Sequence, residues 1–427
     1  MKSNHRIAPH SLPGADDITR FQLDNGIVVL TRSNFNSPSI TISGYLQSGG
    51  LFDPDEKLGL ANFTASALMR GTQRRSFQQI YDTLESAGAS LGVDGGTHTA
   101  GFGGRSLVED LTRLLELLAE VLIEPAFPHE HVERLRAQLL TDLAIRAQDT
   151  GDTASMTFDQ IVYANHPYRR PEDGYPETIN AITRQDLVDF HQRYYGPAGM
   201  VVVVVGAVES AVVREQAERY LGGWKNPAQP EPPELPPLTA LDATVVRRAT
   251  IAGKSQADII LGVAGPSRST PGYLAAALGN SILGQFGMMG RIGDVVREQA
   301  GLAYYAHSSL AGGTGPGHWS VSAGVDPKNT DKAVELITKE IMRFTTVPVT
   351  AEELADSRAN FIGRLPLSLE TNSGVAGALI NLERHSLGLD YYRGYADLLK
   401  SVTVEDILEI AQYYLNVDRL AVAIAGP

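Results

Sequence analysis

Apolar residues recur with two different periods along this chain. Leu107, Leu111, Leu114, Leu115, Leu118, Val121 and Leu122 fall at helical spacing and predict one long amphipathic helix, stopped by Pro125. Val295 to Tyr305 and Lys328 to Phe344 read as further helical or loop-helix stretches. Ile27 to Thr31, Ser39 to Leu46 and Asp258 to Val263 have the pattern of strands. Two segments close in the same way: a Thr cap, a helix with an acidic residue in its first turn, and an apolar run ending in Gly. They are Thr183 to Tyr195 followed by Met200 to Gly206, and Thr403 to Leu415 followed by Leu420 to Gly426.

That likeness extends to a repeat. Sliding the chain by 220 residues places Ile182-Thr-Arg-Gln-Asp-Leu on Val402-Thr-Val-Glu-Asp-Ile, Gln192 on Gln412, Tyr194 on Tyr414 and Gly206 on Gly426. The same offset pairs Glu120 with Glu340, Pro128 with Pro348 and Glu133 with Glu353. Between the repeats lies Asn226 to Pro237, six prolines in twelve residues, which forbid helix and sheet ladders and favour an extended connector. The expected organisation is an α+β chain of two tandem homologous αβ domains, 1–225 and 238–427, joined by the Pro-rich linker 226–237. Each sheet is expected to carry helices on one face.

Composition narrows the function. A chain of 427 residues with 43% apolar content has material for two cores, which argues against disorder. Thirty-six Lys+Arg against 49 Asp+Glu leave a net charge of −13, which disfavours nucleic acid and anionic membrane surfaces as partners. There is no cysteine, so disulfides, thiolate metal sites and cysteine nucleophiles are excluded together. The first thirty residues lack a signal-like apolar run, and the longest apolar stretch, Met200 to Val205, is far short of a membrane span. The expectation is a soluble, cytoplasmic protein.

Candidate chemistry is sparse. No G-x-x-x-x-G-K-[ST], G-x-S-x-G, H-E-x-x-H or H-x-x-E-H pattern occurs. The Gly-rich stretch from Gly279 to Gly293, with Gly284, Gly287 and Gly290, lacks a lysine for phosphate and reads as a flexible recognition loop or as close backbone packing. His129 and His131 stand two apart at a helix start and would point to different faces. The other histidines show no ligand spacing, His98 in its Gly-Thr-rich stretch being the least dismissible.

Asp24-Asn-Gly-Ile, the segment Gly59-Leu-Ala-Asn-Phe-Thr-Ala-Ser-Ala-Leu-Met-Arg-Gly-Thr72, and Arg297-Glu-Gln-Ala-Gly-Leu-Ala-Tyr304 resemble the pitrilysin/insulinase family of zinc peptidases, in its mitochondrial-processing-peptidase-like branch. The resemblance covers almost the whole chain. It implies two similar αβ domains facing each other as half of a clamshell, with a second subunit completing an enclosed chamber. In that family the segment matching Gly59 to Thr72 is a helix bearing H-x-x-E-H, which holds zinc and supplies the base. Here the corresponding residues are Asn62, Ala65 and Ser66, and the family's third ligand should fall near Asp142 or Leu143. The resemblance therefore implies a zinc-less subunit with no cofactor of its own.

Arg297 and Tyr304, seven apart in a Gly-containing turn, match the pair that the family's second domain presents to substrate. A guanidinium and a phenol at that place would donate hydrogen bonds to a carbonyl oxygen as charge develops on it. Without the family context, both read as a surface arginine and a core-capping tyrosine. The implied function is a subunit inactive alone. Its partner would be a homologous chain carrying H-x-x-E-H and zinc, and the pair would act as a metalloendopeptidase on unfolded peptides. The alternatives are a non-enzymatic scaffold and a peptide-binding homodimer of the same fold.

Overall fold

The computed structural model describes residues 12–285 and 290–427. Eleven strands form two mixed sheets. The first sheet is built from β1 (Thr19–Gln22), β2 (Val28–Ser33), β3 (Ser39–Leu46), β4 (Ser90–Gly95), β5 (Ala100–Leu107) and β6 (Val201–Gly206), in the order β1-β2-β6-β3-β5-β4. The second is built from β7 (Val245–Thr250), β8 (Ala257–Ala264), β9 (Ala303–Leu310), β10 (His318–Val325) and β11 (Ala421–Gly426), in the order β7-β11-β8-β10-β9. Setting β1 aside, the two orders are the same, and so are the senses. β2 is parallel to β6 as β7 is to β11, and the other neighbours are antiparallel. The protein is thus two homologous αβ domains in tandem.

The paired positions of the repeat have a physical meaning. Thr183 and Thr403 each cap their helix, Arg184–Tyr194 and Val404–Tyr414, in a capping box with Asp186 and Asp406. In each box two amides that the helix leaves without partners are bonded. Glu120 and Glu340 are both buried, on helices Leu111–Ile123 and Thr330–Thr346, and each meets arginine: Arg75 for the first, Arg291 and Arg343 for the second.

Contacts divide the chain into two units made of interleaved segments. The first holds 12–143, 171–234 and 365–394, and the second holds 144–170, 235–285, 290–364 and 395–427. One crossing falls within the Pro-rich stretch, where residues 226–237 form neither helix nor strand. That stretch begins anchored, since the Asn226 amide donates to the carbonyls of Gln192, Arg193 and Tyr195 at the end of helix Arg184–Tyr194. The other crossings exchange one helix per repeat. Helix Thr150–Val162 lies in the second unit against β8 and β11, and helix Asn372–Arg384 lies in the first against β3 and β6.

This exchange changes the expected layering. In the first unit Ile40, Ile42, Val202 and Val204 face the main core, while Leu30, Tyr45, Val201, Val203 and Val205 pack on Val375, Ala376, Leu379 and Leu382. In the second, Ile259, Leu261 and Trp319 face the main core, while Ala421 and Ala423 pack on Phe158, Ile161 and Val162. Each sheet is therefore covered on both faces rather than one. The cause lies in β6 and β11, every residue of which is buried, so neither could tolerate a solvated side.

Three expected elements move. Leu107 ends β5, and the helix begins at Leu111, because the leucine periodicity runs straight across the strand-to-helix turn. Helical structure from Asp294 stops at Gln299, and Ala303 to Leu310 is a strand. Gly279 lies inside helix Tyr273–Asn280, followed by a buried helical turn at Ser281–Gln285. Among the described residues, no helix is long and apolar enough to cross a membrane.

Candidate functional site

Helix Leu60–Leu68 begins at Gly59, whose φ of +93° places it in the left-handed region that glycine favours. Buried Asp53 caps this start, accepting from the amides of Gly59 at 2.8 Å and Ala61 at 2.9 Å. On the helix, Asn62 donates through Nδ2 to Asp173 Oδ1 at 2.6 Å. Ala65 is fully buried in the first unit's core, and Ser66 is half-buried. Strand β4 presses on the helix here, since a Cβ on Gly95 would lie 2.5 Å from Asn62 Cα. Of the two candidates for a third ligand, Asp142 is exposed and Leu143 is buried.

These residues do not fit zinc. Zinc takes imidazole, thiolate or carboxylate ligands, whereas the three helix positions offer an amide already hydrogen-bonded, a methyl and a hydroxyl. Ala65 has no group to act as a base. Among the described residues, no group of three or more His, Cys, Asp or Glu side chains is placed to hold a metal. The histidines have other surroundings. His131 packs 4.9 Å from the Phe77 ring, and His191 bonds the Leu122 carbonyl at 2.8 Å while burial lowers it to about 4.

The second constellation lies in the second unit. Arg297 sits on the helical turn Asp294–Gln299, its side chain 41% exposed, with Glu298 at 3.7 Å. The chain then reverses through Gly301, at a φ of +63°, into β9. Strand β9 is an edge strand, and its pairing with β10 is irregular at this point. Tyr305 lies opposite Gly324 and Ala303 opposite Val325, leaving Tyr304 as the extra residue of a β-bulge. A bulge bends the strand and re-aims the unpaired side chain. The Tyr304 ring is 82% exposed, while Ala306 and Ser308 further along the strand are buried. Tyr304 is therefore not the core-capping tyrosine of the family-blind reading.

Of the Gly-rich stretch, Gly284 and Gly290 touch through their backbones: a Cβ on Gly290 would come within 2.3 Å of Gly284 Cα. Both are buried, so close backbone packing accounts for them, and Gly287 lies outside the described residues. The sequence reading passed over the cluster around Asp258 on β8, two strands from β9 in the sheet. Buried Asp258 accepts from Thr150 Oγ1, Gln256 Nε2 and the Tyr305 hydroxyl, tying helix Thr150–Val162 to the sheet. The available signal was a charged residue inside the apolar run from Ala257 to Ala264.

The description "Insulinase (Peptidase family M16)" matches residues 28–171, and "Peptidase M16 inactive domain" matches residues 181–361. An uncharacterized zinc protease of Mycobacterium leprae is 27% identical over 422 residues, covering 96% of this chain and 92% of that one. The mitochondrial-processing peptidase subunit beta of Saccharomyces cerevisiae is 24% identical over 373 residues, covering 83% and 79%. The structure of a peptidase M16 inactive domain from Pseudomonas fluorescens has the same fold, with a TM-score of 0.89 at 24% identity, covering 96% and 98%. With two family descriptions matching in succession and the same sheet repeated in each unit, the chain belongs to the pitrilysin/insulinase family of peptidases, M16.

Proposed function

We propose that this chain is the zinc-less subunit of a heterodimeric metallopeptidase. A homologous chain with H-x-x-E-H supplies the metal-bearing helix, and unfolded peptides in the cytoplasm are the substrates. The observation that carries this reading is Tyr304, an exposed phenol set out of register by a bulge in the edge strand β9. Arg297, seven residues before it and ahead of the turn at Gly301, offers an exposed guanidinium. Both side chains carry hydrogen-bond donors, as stabilising an oxyanion requires. Among the described residues there is no metal-ligand set, and Ala65 offers no base, so the chain's contribution is to bind the peptide and to stabilise charge on the carbonyl oxygen.

Metal analysis and native co-purification test this together. The purified chain is expected to hold no stoichiometric zinc and to cleave no peptide. The complex drawn from its native cell is expected to hold one zinc per pair, in the partner, and to cleave. A tightly held zinc in the isolated chain contradicts the proposal. A partner without H-x-x-E-H, or none, leaves the scaffold or the peptide-binding homodimer in its place.

A further inference from the structure

Where β8 ends at Val263 and Ala264, the second unit contains a cavity of about 270 Å³. Its apolar wall combines Val162 with Leu238 and Leu241, which follow the Pro-rich stretch. Tyr413 and Tyr414 form an aromatic corner, their rings 4.8 Å apart at 72°, with Tyr413 78% exposed at the rim. Among the described residues, Arg419 is the one charged residue that lines it. Its side chain is exposed, and among the described residues its guanidinium has no ion pair or hydrogen bond.

A cavity of about 150 Å³ holds a benzene ring. The additional space here admits a short chain leading to a polar head. A lone guanidinium is matched by one carboxylate, which it can bind through two parallel N–H donors. A phosphate monoester would bring a second negative charge, and no other cation lines the cavity. We propose that this cavity binds monocarboxylates with an apolar body: small aryl or alkyl acids, or the free C-terminus of a peptide ending in an apolar residue. The carboxylate sits on Arg419 and the body lies between Tyr414, Val162 and Leu241.

The site is separate from the Arg297 and Tyr304 pair. Tyr305 aligns through Gly324 with Asp258 at one end of β8, and the cavity lies six residues along at Ala264, about 20 Å at the usual rise per residue. The inference therefore does not depend on peptide hydrolysis.

The test is calorimetric titration of the full chain with 3-phenylpropionate, an acid of roughly eleven non-hydrogen atoms, for which a dissociation constant of about 0.1–4 mM is expected. The isosteric 3-phenylpropionamide is expected to bind about tenfold more weakly or not at all, and Arg419→Gln to weaken the acid by about the same factor. Arg247→Gln, a surface arginine on β7, is expected to leave the constant unchanged. A tripeptide ending in Phe, as free acid and as amide, separates the two sources. Binding by its free acid assigns the site to chain termini, and binding by 3-phenylpropionate alone assigns it to small acids. Equal binding of acid and amide, an unaltered constant in Arg419→Gln, or no binding of either acid at about 10 mM overturns the proposal.

Discussion

The hydroxyl of Tyr305 on β9 reaches across β10 and donates to Asp258 Oδ1 on β8 at 2.6 Å, while the neighbouring Tyr304 projects into solvent. The Tyr305 ring lies over Gly324, where an added Cβ would meet it at 2.5 Å. Burial, and then the Asp258 carboxylate, push the Tyr305 phenol up, so it remains a donor across the physiological range. Two adjacent tyrosines thus divide the labour of the bulge: one fastens it and the other is presented by it. Tyr305→Phe should cost about 1–3 kcal/mol in urea unfolding, because a buried carboxylate loses a charge-assisted bond. Tyr304→Phe, which removes an exposed hydroxyl, should stay within about 0.5 kcal/mol of the wild type.

Asp159, on helix Thr150–Val162, gives the second unit a pH dependence. Burial lifts its carboxyl to about 7, and the Tyr163 phenol is its titrating neighbour. A folded pKa above the unfolded value means that stability is fully present below about pH 4 and is lost as pH rises through 7. The shift sets a ceiling of about 4 kcal/mol, and the residue's partial solvent access reduces it to about 1–3 kcal/mol. Asp159→Asn should therefore unfold at higher temperature than wild type at pH 8 and at nearly the same temperature at pH 4. A melting series across that interval reads the difference directly.

The exchanged helices meet strands of different bulk. Val201 and Val203 of β6 pack on Val375, Ala376, Leu379 and Leu382, whereas their repeat partners Ala421 and Ala423 of β11 meet Phe158 and Ile161. In the second unit the small strand residues leave room for the aromatic and branched side chains of the helix, and this complementarity fills the layer. Ala423→Leu should overpack against Phe158 and lower stability by about 1–3 kcal/mol, measured by urea unfolding.

That complementarity also marks where the sequence stops being readable. Caps and local patterns are encoded within a few residues, so Thr183, Thr403 and the strand Ser39–Leu46 could be read directly. The continuous apolar runs of β6 and β11 already carried the signal of two-sided burial. What covered their second face did not follow, because an amphipathic helix announces that it needs a sheet and not which one. Leu107 shared the period of the following helix while belonging to a strand. Arg297 and Tyr304 were found through resemblance, but the bulge that sets Tyr304 apart is a relation between β9 and β10 that neither strand encodes alone.

The reading of this chain as a contributor to catalysis stands or falls with one hydroxyl. The most direct measurement is the rate of peptide cleavage by the proposed complex of this chain with its zinc-bearing partner, carrying Tyr304→Phe, with subunit association and folding measured on the same preparation. The expected result is an intact complex whose turnover falls by a factor of about 10²–10³, the usual effect of deleting one oxyanion donor. Cleavage at the wild-type rate by an intact complex would contradict the account and leave Tyr304 as an exposed residue of a scaffold.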